Sequence, residues 1–452
     1  MSAIIGEKRR NPGKFITPNR NGDAANQTFR NHSYNRAMQF KLFRQSDIPE
    51  KYRSNFIHLY LDIAWFGVLS GTAINFLNVY AARLGASGLQ IGLLTAAGAA
   101  VNLFLAIPAG HWVSKRHTGK AVFWSSVLLR IGYLFWIPLP WLFDNQTQVW
   151  ALILLTFLMA IPLTPLSVGF NALFAEAVPE RYRARVAGTR NITFAVAYVL
   201  SSLLAGFLLD TVSFPQGYQV VFLTGAVGAA LSSYHIRQIK PLDEETAPLP
   251  PTKADSSSQA GSPPKTSALR LDIWRTPFRA VLLGLFFFHF AQYIITPLYP
   301  IAFVRQLGLN DSNIGAGTAL YYLSAMLASF QLSRIVHRLG NKRVTAFGAM
   351  GMASYPIMLS FAQTVVHYYL LSFLNGVIFA LVNGSYANYM LERIPPDDRP
   401  PYLAWYTMML NLAILSSSVL GPLLADGIGL APALIALGIL RFTAGFVLLK
   451  WG

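Results

Sequence analysis

The chain has no cysteine, which excludes a disulfide framework, a thiolate metal site and a cysteine nucleophile. Charge is scarce as well. Only 12% of the residues are Asp, Glu, Lys or Arg, against roughly 25% in soluble domains, which argues against a cytosolic enzyme. Acids are the scarcer sign, 19 against 36 bases. Enzyme signatures are missing too, with no HExxH, GxSxG, Walker-type loop or Rossmann fingerprint. Of the eight histidines, only His58 and His289 lie well inside apolar stretches, too few for a metal cluster. Neither a cofactor nor a catalytic residue is expected. No signal peptide is evident, since the first fifty-odd residues are polar and basic and the first long apolar run starts near Phe56.

What is abundant is apolar sequence: 54% of 452 residues are hydrophobic and the mean hydropathy is +0.42. A membrane-crossing helix needs about 20 mostly apolar residues. Hydropathy resolves twelve such segments, at about 55–80, 89–113, 120–143, 147–175, 185–209, 217–237, 276–304, 312–336, 343–363, 366–391, 401–425 and 428–450. Only helices satisfy their own backbone in lipid at these lengths, so the fold expected is all-α and integral to the membrane. Residues 1–54 carry eleven Lys and Arg in polar sequence and read as a solvated, disordered tail. Residues 238–275, with six prolines, Asp243-Glu244-Glu245 and three consecutive serines, read as a linker. It divides the spans into bundles at 55–237 and 276–452.

Lys and Arg in short loops set orientation. The even-numbered loops carry Lys115, Arg116, Lys120, Arg181, Arg183, Arg185, Arg338, Lys342, Arg343, Arg393 and Arg399, whereas the odd ones offer Arg83 and Arg305. Both termini and the linker are therefore expected in the cytosol. The net charge of +17 reflects topology and membrane lipid, with no nucleic acid implied.

The halves repeat at constant offsets. Leu84-Gly85, Ile91-Gly92, Lys115 and Lys120 match Leu307-Gly308, Ile314-Gly315, Arg338 and Arg343, each 223 positions later. Glu176, Pro179, Arg183 and Asp210 match Glu392, Pro395, Arg399 and Asp426 at 216. Two six-helix halves in one orientation form a parallel repeat, a transporter architecture with its site between the halves. With Ser333, His337, Arg338, Gly340 and Lys342, and more loosely Gly110, Ser114, Lys115, Gly119 and Lys120, the chain resembles the major facilitator superfamily over most of 55–450. In that family an acid at the places of Ser114 and His337 helps lock the cytosolic gate, and both copies here lack it. The glycine-proline signature of drug antiporters is missing from span five, and Gly421-Pro422 lies in span eleven. The resemblance implies that spans one, four, seven and ten line a central cavity.

Polar residues at membrane depth are costly and mark function. His289, Gln292, Tyr293, Thr296 and Tyr299 recur at helical spacing along span seven, with Pro297 and Pro300 bending its outer end. The stripe is expected to line a cavity, and His289, Gln292, Tyr293 and Thr296 to bind substrate with Asn171, beside Thr164 and Ser167, on span four. Asn375 and Asn383, with Tyr386, join them on span ten. Packing between helices is the alternative for each of these. Asp62 is the one acid well inside a span, with His58 a turn away on the same face. The pair suits a coupling proton, and a structural ion pair is the competing role. Arg130 and Arg441 read as structural or snorkelling cations. Lys115, Arg338, Glu176, Glu392, Arg183 and Arg399, with Arg181, Arg190 and Arg393 nearby, are expected to gate the cytosolic side.

The whole reads as a monomeric, multi-pass secondary transporter of a bacterial inner membrane. It would move a small neutral or amphipathic solute by alternating access with proton coupling, efflux being preferred to uptake. A non-transporting solute sensor on the same scaffold is the alternative.

Overall fold

The computed structural model describes residues 49–242, 270–395 and 398–452. The expected tail, up to residue 48, and most of the expected linker lie outside them. Every regular element among the described residues is helical, as backbone satisfaction in lipid requires. Among the described residues, nine helices are long and apolar enough to cross a membrane: Glu50–Arg83, Gly88–Ser114, Asn145–Ala177, Glu180–Thr211, Gln216–Gln238, Phe278–Gln306, Val365–Leu391, Arg399–Ile428 and Leu430–Trp451. These occupy the places of spans one, two, four, five, six, seven, ten, eleven and twelve. Thr118–Leu134, Asp311–Leu339 and the broken pair Asn341–Met352 and Ser354–Ser360 stand where spans three, eight and nine were expected. The count of twelve rests on reading these three as spans too.

Local chemistry sets the boundaries. Span two opens on a capping box, in which Ser87 accepts from the Gln90 N–H while the Gln90 side chain accepts from the Ser87 N–H. Span four is capped by Asp144, whose carboxyl accepts from the backbone of Gln146 and Thr147. The Thr147 hydroxyl holds that carboxyl below its ordinary range. Span one begins at Glu50, so the last residues of the expected tail are helical. An acid in its first turn suits the helix dipole.

Span seven departs from the expected single face. The α-helix Phe278–Tyr293 ends, and helix resumes at Leu298–Ile301 before a π-turn at Ala302–Gln306. Pro297 lacks an N–H and disfavours helical backbone at Thr296, so the chain breaks there instead of merely bending. Span one is interrupted at the equivalent place, by a π-turn at Ser70–Ile74.

Two crossings join the halves, and the repeat relates them. Gly92 of span two lies against the Ser418 carbonyl of span eleven, where an added Cβ would collide. Gly315 of span eight meets the Ser202 carbonyl of span five in the same way. Gly92 and Gly315 are repeat mates, as are Ser202 and Ser418. Small residues let membrane helices approach this closely.

Candidate functional site

Three polar assemblies stand out. In the C-terminal half, His289 is buried and its Nε2 lies 3.0 Å from the Tyr406 hydroxyl of span eleven. Its ring centroid is 5.6 Å from that of Tyr386 on span ten and 6.3 Å from that of Tyr293. Nδ1 of His289, Oε1 of Gln292 and Oδ1 of Asn375 are buried with no hydrogen-bond partner, which is costly in an apolar surrounding. Thr296, in the break of span seven, donates to the Gln292 carbonyl. Tyr299 leaves the stripe, because the break at Pro297 turns it toward Tyr355, Phe303 and the Arg441 guanidinium. Asn383 and Asn171 are exposed, Asn171 donating to the Ser167 carbonyl. Thr164 donates to Asn102.

In the N-terminal half, Asp62 is 3% exposed. Its carboxylate faces Arg190 Nη2 at 3.2 Å and Arg130 Nη2 at 3.9 Å, and accepts from the Ser232 hydroxyl at 2.5 Å. Arg130 also donates to Ser126 and Ser233. Arg190 donates to the Leu59 carbonyl and lies over the Phe170 ring. Arg130, read as a structural cation, is part of this assembly, while Arg190, read beside Glu176, sits here instead. His58 does not face Asp62: its Nδ1 lies 3.0 Å from Nδ1 of His235. Arg441 is equally buried, with the Tyr299 hydroxyl at 3.4 Å and the Met352 sulfur at 3.5 Å, and its Nε has no partner.

The third assembly was not anticipated. Arg83 at the end of span one reaches Asp311 at the start of span eight, 2.9 Å away, and donates to the Leu309 carbonyl. Tyr218 donates to the same carboxylate, and Asp210 accepts from the Asp311 and Ser312 backbone N–H groups. Arg305 answers from the other half on the Ala86 carbonyl. The halves are thus bolted together at the end where the odd loops lie. One signal was legible: Arg83 and Arg305 are the only bases of those loops. Their partners were not, since they come from helices far apart in sequence.

At the opposite end, the expected gate residues bond within their own halves. Glu176 accepts from Thr118 and Glu392 from Asn341, and Arg183 donates to the Ala175 and Val178 carbonyls. Lys115, Arg338 and Arg399 are exposed.

The profile of the Major Facilitator Superfamily matches residues 63–288 and 281–452, once for each repeat. The chain belongs to the major facilitator superfamily. It is accordingly a multi-pass membrane protein of a transporter family, not an enzyme. A cis,cis-muconate transport protein of Acinetobacter baylyi is 25% identical over 65% of this chain and 70% of its own length. The staphyloferrin B transporter of Staphylococcus aureus is 22% identical over 38% of this chain. The multidrug resistance protein MdtG of Proteus mirabilis is 28% identical over 36%. The chain spans about two fifths of each of these last two relatives, 41% in both cases. Among solved structures, the nucleoside transporter NupG superposes with a TM-score of 0.63 at 13% identity, over 89% of this chain and 99% of that one. A bacterial homologue of the iron transporter ferroportin, in an inward-facing state, gives 0.64 at 15% identity, over 88% and 98%. At such identities the superfamily fold is what is shared.

Proposed function

We propose that this superfamily member is a secondary transporter that carries a small neutral or amphipathic solute by alternating access, coupled to protons at Asp62. The observation that carries the solute reading is the set of buried, unpartnered polar atoms on spans seven and ten: His289 Nδ1, Gln292 Oε1 and Asn375 Oδ1. Two of the three are amide acceptors, so the solute that suits them brings hydroxyl or N–H donors, with Tyr293 and Tyr386 offering aromatic faces. A proton on Asp62 would cancel the charge that Arg130 and Arg190 face, giving the N-terminal half two states with different internal pairing. In the proposed orientation the termini and linker are cytosolic and the membrane is the inner one. The Arg83–Asp311 bolt then closes the outer side, and the gating residues Glu176, Glu392, Arg183, Arg399, Lys115 and Arg338 await partners across the inner side.

The test begins with a thermal-shift screen of nucleosides and hydroxylated amphiphiles, followed by counterflow of the best hit in proteoliposomes. Binding with exchange, lost in a His289→Ala, Gln292→Ala double variant, is expected. Binding without exchange at any solute concentration would point to a sensor and overturn transport.

A second reading has its own observation. Among the described residues the buried cations Arg130, Arg190 and Arg441 outnumber the buried acids Asp62 and Asp311, Asp311 is already paired with Arg83, and no carboxylate pairs with Arg441. A buried charge is strongly unfavourable unless compensated, so an organic anion suits that surplus. The Acinetobacter relative is named for cis,cis-muconate, a dicarboxylate. A melting shift with muconate that disappears in Arg441→Met, with no response to nucleosides, would put the anion first. A nucleoside response untouched by Arg441→Met would keep the neutral solute.

A further inference from the structure

A crevice of about 900 Å³ opens between the start of span three and the end of span six, lined by His117, Gly119, Lys120, Phe123, Trp124, Arg237, Ile239, Lys240 and Pro241. It lies on the side that carries the basic even loops, apart from the residues assigned to solute and to the proton, and Glu176 of the gate borders it through its bond from Thr118. Its charge is of one sign: Lys120 comes from the start of span three, Arg237 from the end of span six and Lys240 from the chain just beyond it, and none of its lining residues is an acid. Among the described residues no carboxylate forms an ion pair with any of the three. Both walls are fixed. The Arg237 guanidinium lies 5.6 Å from the Phe123 ring centroid, and the Lys240 backbone is clamped by Asn55, which donates to its carbonyl at 2.7 Å and accepts from its N–H at 3.1 Å. The first turn of span three has no side-chain cap, which adds unpaired N–H groups favourable to an anion.

What separates this crevice from an ordinary basic loop is the apolar track leading from it. Trp124 is 58% exposed, and Leu128 and Ile131 follow it on the same face of span three, both exposed. On span six, Tyr234, Val227, Leu223 and Val220 form a second exposed stripe. A tryptophan less than two turns below a helix end sits at headgroup depth, where indoles concentrate. A phosphate among the three bases, with chains running along the two stripes, is the arrangement of a bound phospholipid.

We propose that this crevice binds the headgroup phosphate of an anionic phospholipid, with the acyl chains laid along spans three and six. The complete protein, delipidated in a neutral detergent, is titrated with phosphatidylglycerol, phosphatidylcholine and inorganic phosphate while lipid retention is followed by native mass spectrometry and melting by thermal shift. Phosphatidylglycerol is expected to be retained and to raise the melting midpoint, with phosphatidylcholine and inorganic phosphate much weaker. Lys120→Gln with Arg237→Gln should weaken that binding about 25-fold, from about fivefold for each base removed. Lys342→Gln with Arg343→Gln removes the same charge from the corresponding loop of the other half and should leave it unchanged. Equal losses in the two double variants would reduce the effect to general surface charge and overturn the proposal. So would equal responses to phosphatidylglycerol and phosphatidylcholine, or a response that inorganic phosphate reproduces. A lipid response seen only after Asp243, Glu244 and Glu245 are changed to amides would mean that the chain's own acids hold the crevice, and would also overturn it.

Discussion

Asp62 and Leu285 occupy the same place in the two repeats, 223 residues apart, and Arg190 and Tyr406 correspond at an offset of 216. In the N-terminal half this pair of positions makes an ion pair, Asp62 with Arg190, extended by Arg130. In the C-terminal half Leu285 is simply buried, and Tyr406 reaches His289 one turn further on. At this pair of positions one half is therefore built around an ion pair and the other around neutral donors, acceptors and rings. The C-terminal half buries charge elsewhere, at Arg441 on span twelve and Asp311 at the start of span eight. The seams between the halves divide similarly. Gly92 against Ser418 and Gly315 against Ser202 are the same backbone contact made twice. Only the seam of spans five and eight adds the Arg83, Asp311, Tyr218 and Asp210 cluster. At the repeat places of Arg83 and Asp311 stand Gln306 and Gly88, which cannot make an ion pair. Close helix approach depends on small residues and is duplicated with the backbone. Charge pairing depends on individual side chains, and the halves differ there.

The sharpest way to break this contrast is Asp62→Asn. It leaves two buried guanidinium groups without their acid, a change that costs about 3–5 kcal/mol in buried pairs. The melting temperature should drop markedly, and adding Arg190→Gln should recover part of the loss. In proteoliposomes, gradient-driven accumulation should vanish while solute exchange survives. Wild-type accumulation would remove the coupling role from the ionic half.

Next in size is the polar seam. Asp311→Asn removes a part-buried pair that, in the proposed alternating access, exists only while that end is closed. Coupling of this kind is worth about 1–3 kcal/mol, or about 5- to 150-fold in population. A cysteine at Leu309, 2% exposed in the closed seam, should react with maleimide faster by a factor in that range. Gln306→Ala, at the repeat place of Arg83, should leave the rate where it was. Equal rates in the two variants would make the seams equivalent after all.

His289→Phe tests the neutral half. It keeps the ring and deletes the bond to Tyr406, a loss of about 0.5–1.5 kcal/mol, so solute affinity should fall up to about tenfold with little change in melting. Smallest of all should be Glu176→Gln and Glu392→Gln, since each acid now bonds inside its own half at the surface. Labelling at Asn171→Cys should rise less than about fivefold, and equally in both variants if the two ends of the repeat are alike.

The amino-acid sequence by itself determined the material of this protein: helices in a membrane, two halves in one orientation, and an excess of bases on one side. Those features follow from local hydropathy, from loop charge and from offsets that survive in polar residues such as Glu176 and Glu392. It also singled out Asp62 as the deep acid, and His289, Gln292 and Asn375 as polar residues at depth, because a polar group in an apolar run is conspicuous wherever it points. Partners were another matter. Periodicity put His58 beside Asp62 and Tyr299 beside His289, yet His58 pairs with His235, and the break at Pro297 sends Tyr299 to Arg441. Arg190 was expected near Glu176 at the cytosolic gate and is instead the main counter-ion of Asp62. The bolt from Arg83 to Asp311 joins residues more than two hundred positions apart. Which side chains meet depends on helix rotation, on the angle at a proline break and on which half packs against which. Only the tertiary structure decided these, because they are set by packing over the whole bundle and leave no period in the sequence of any one helix.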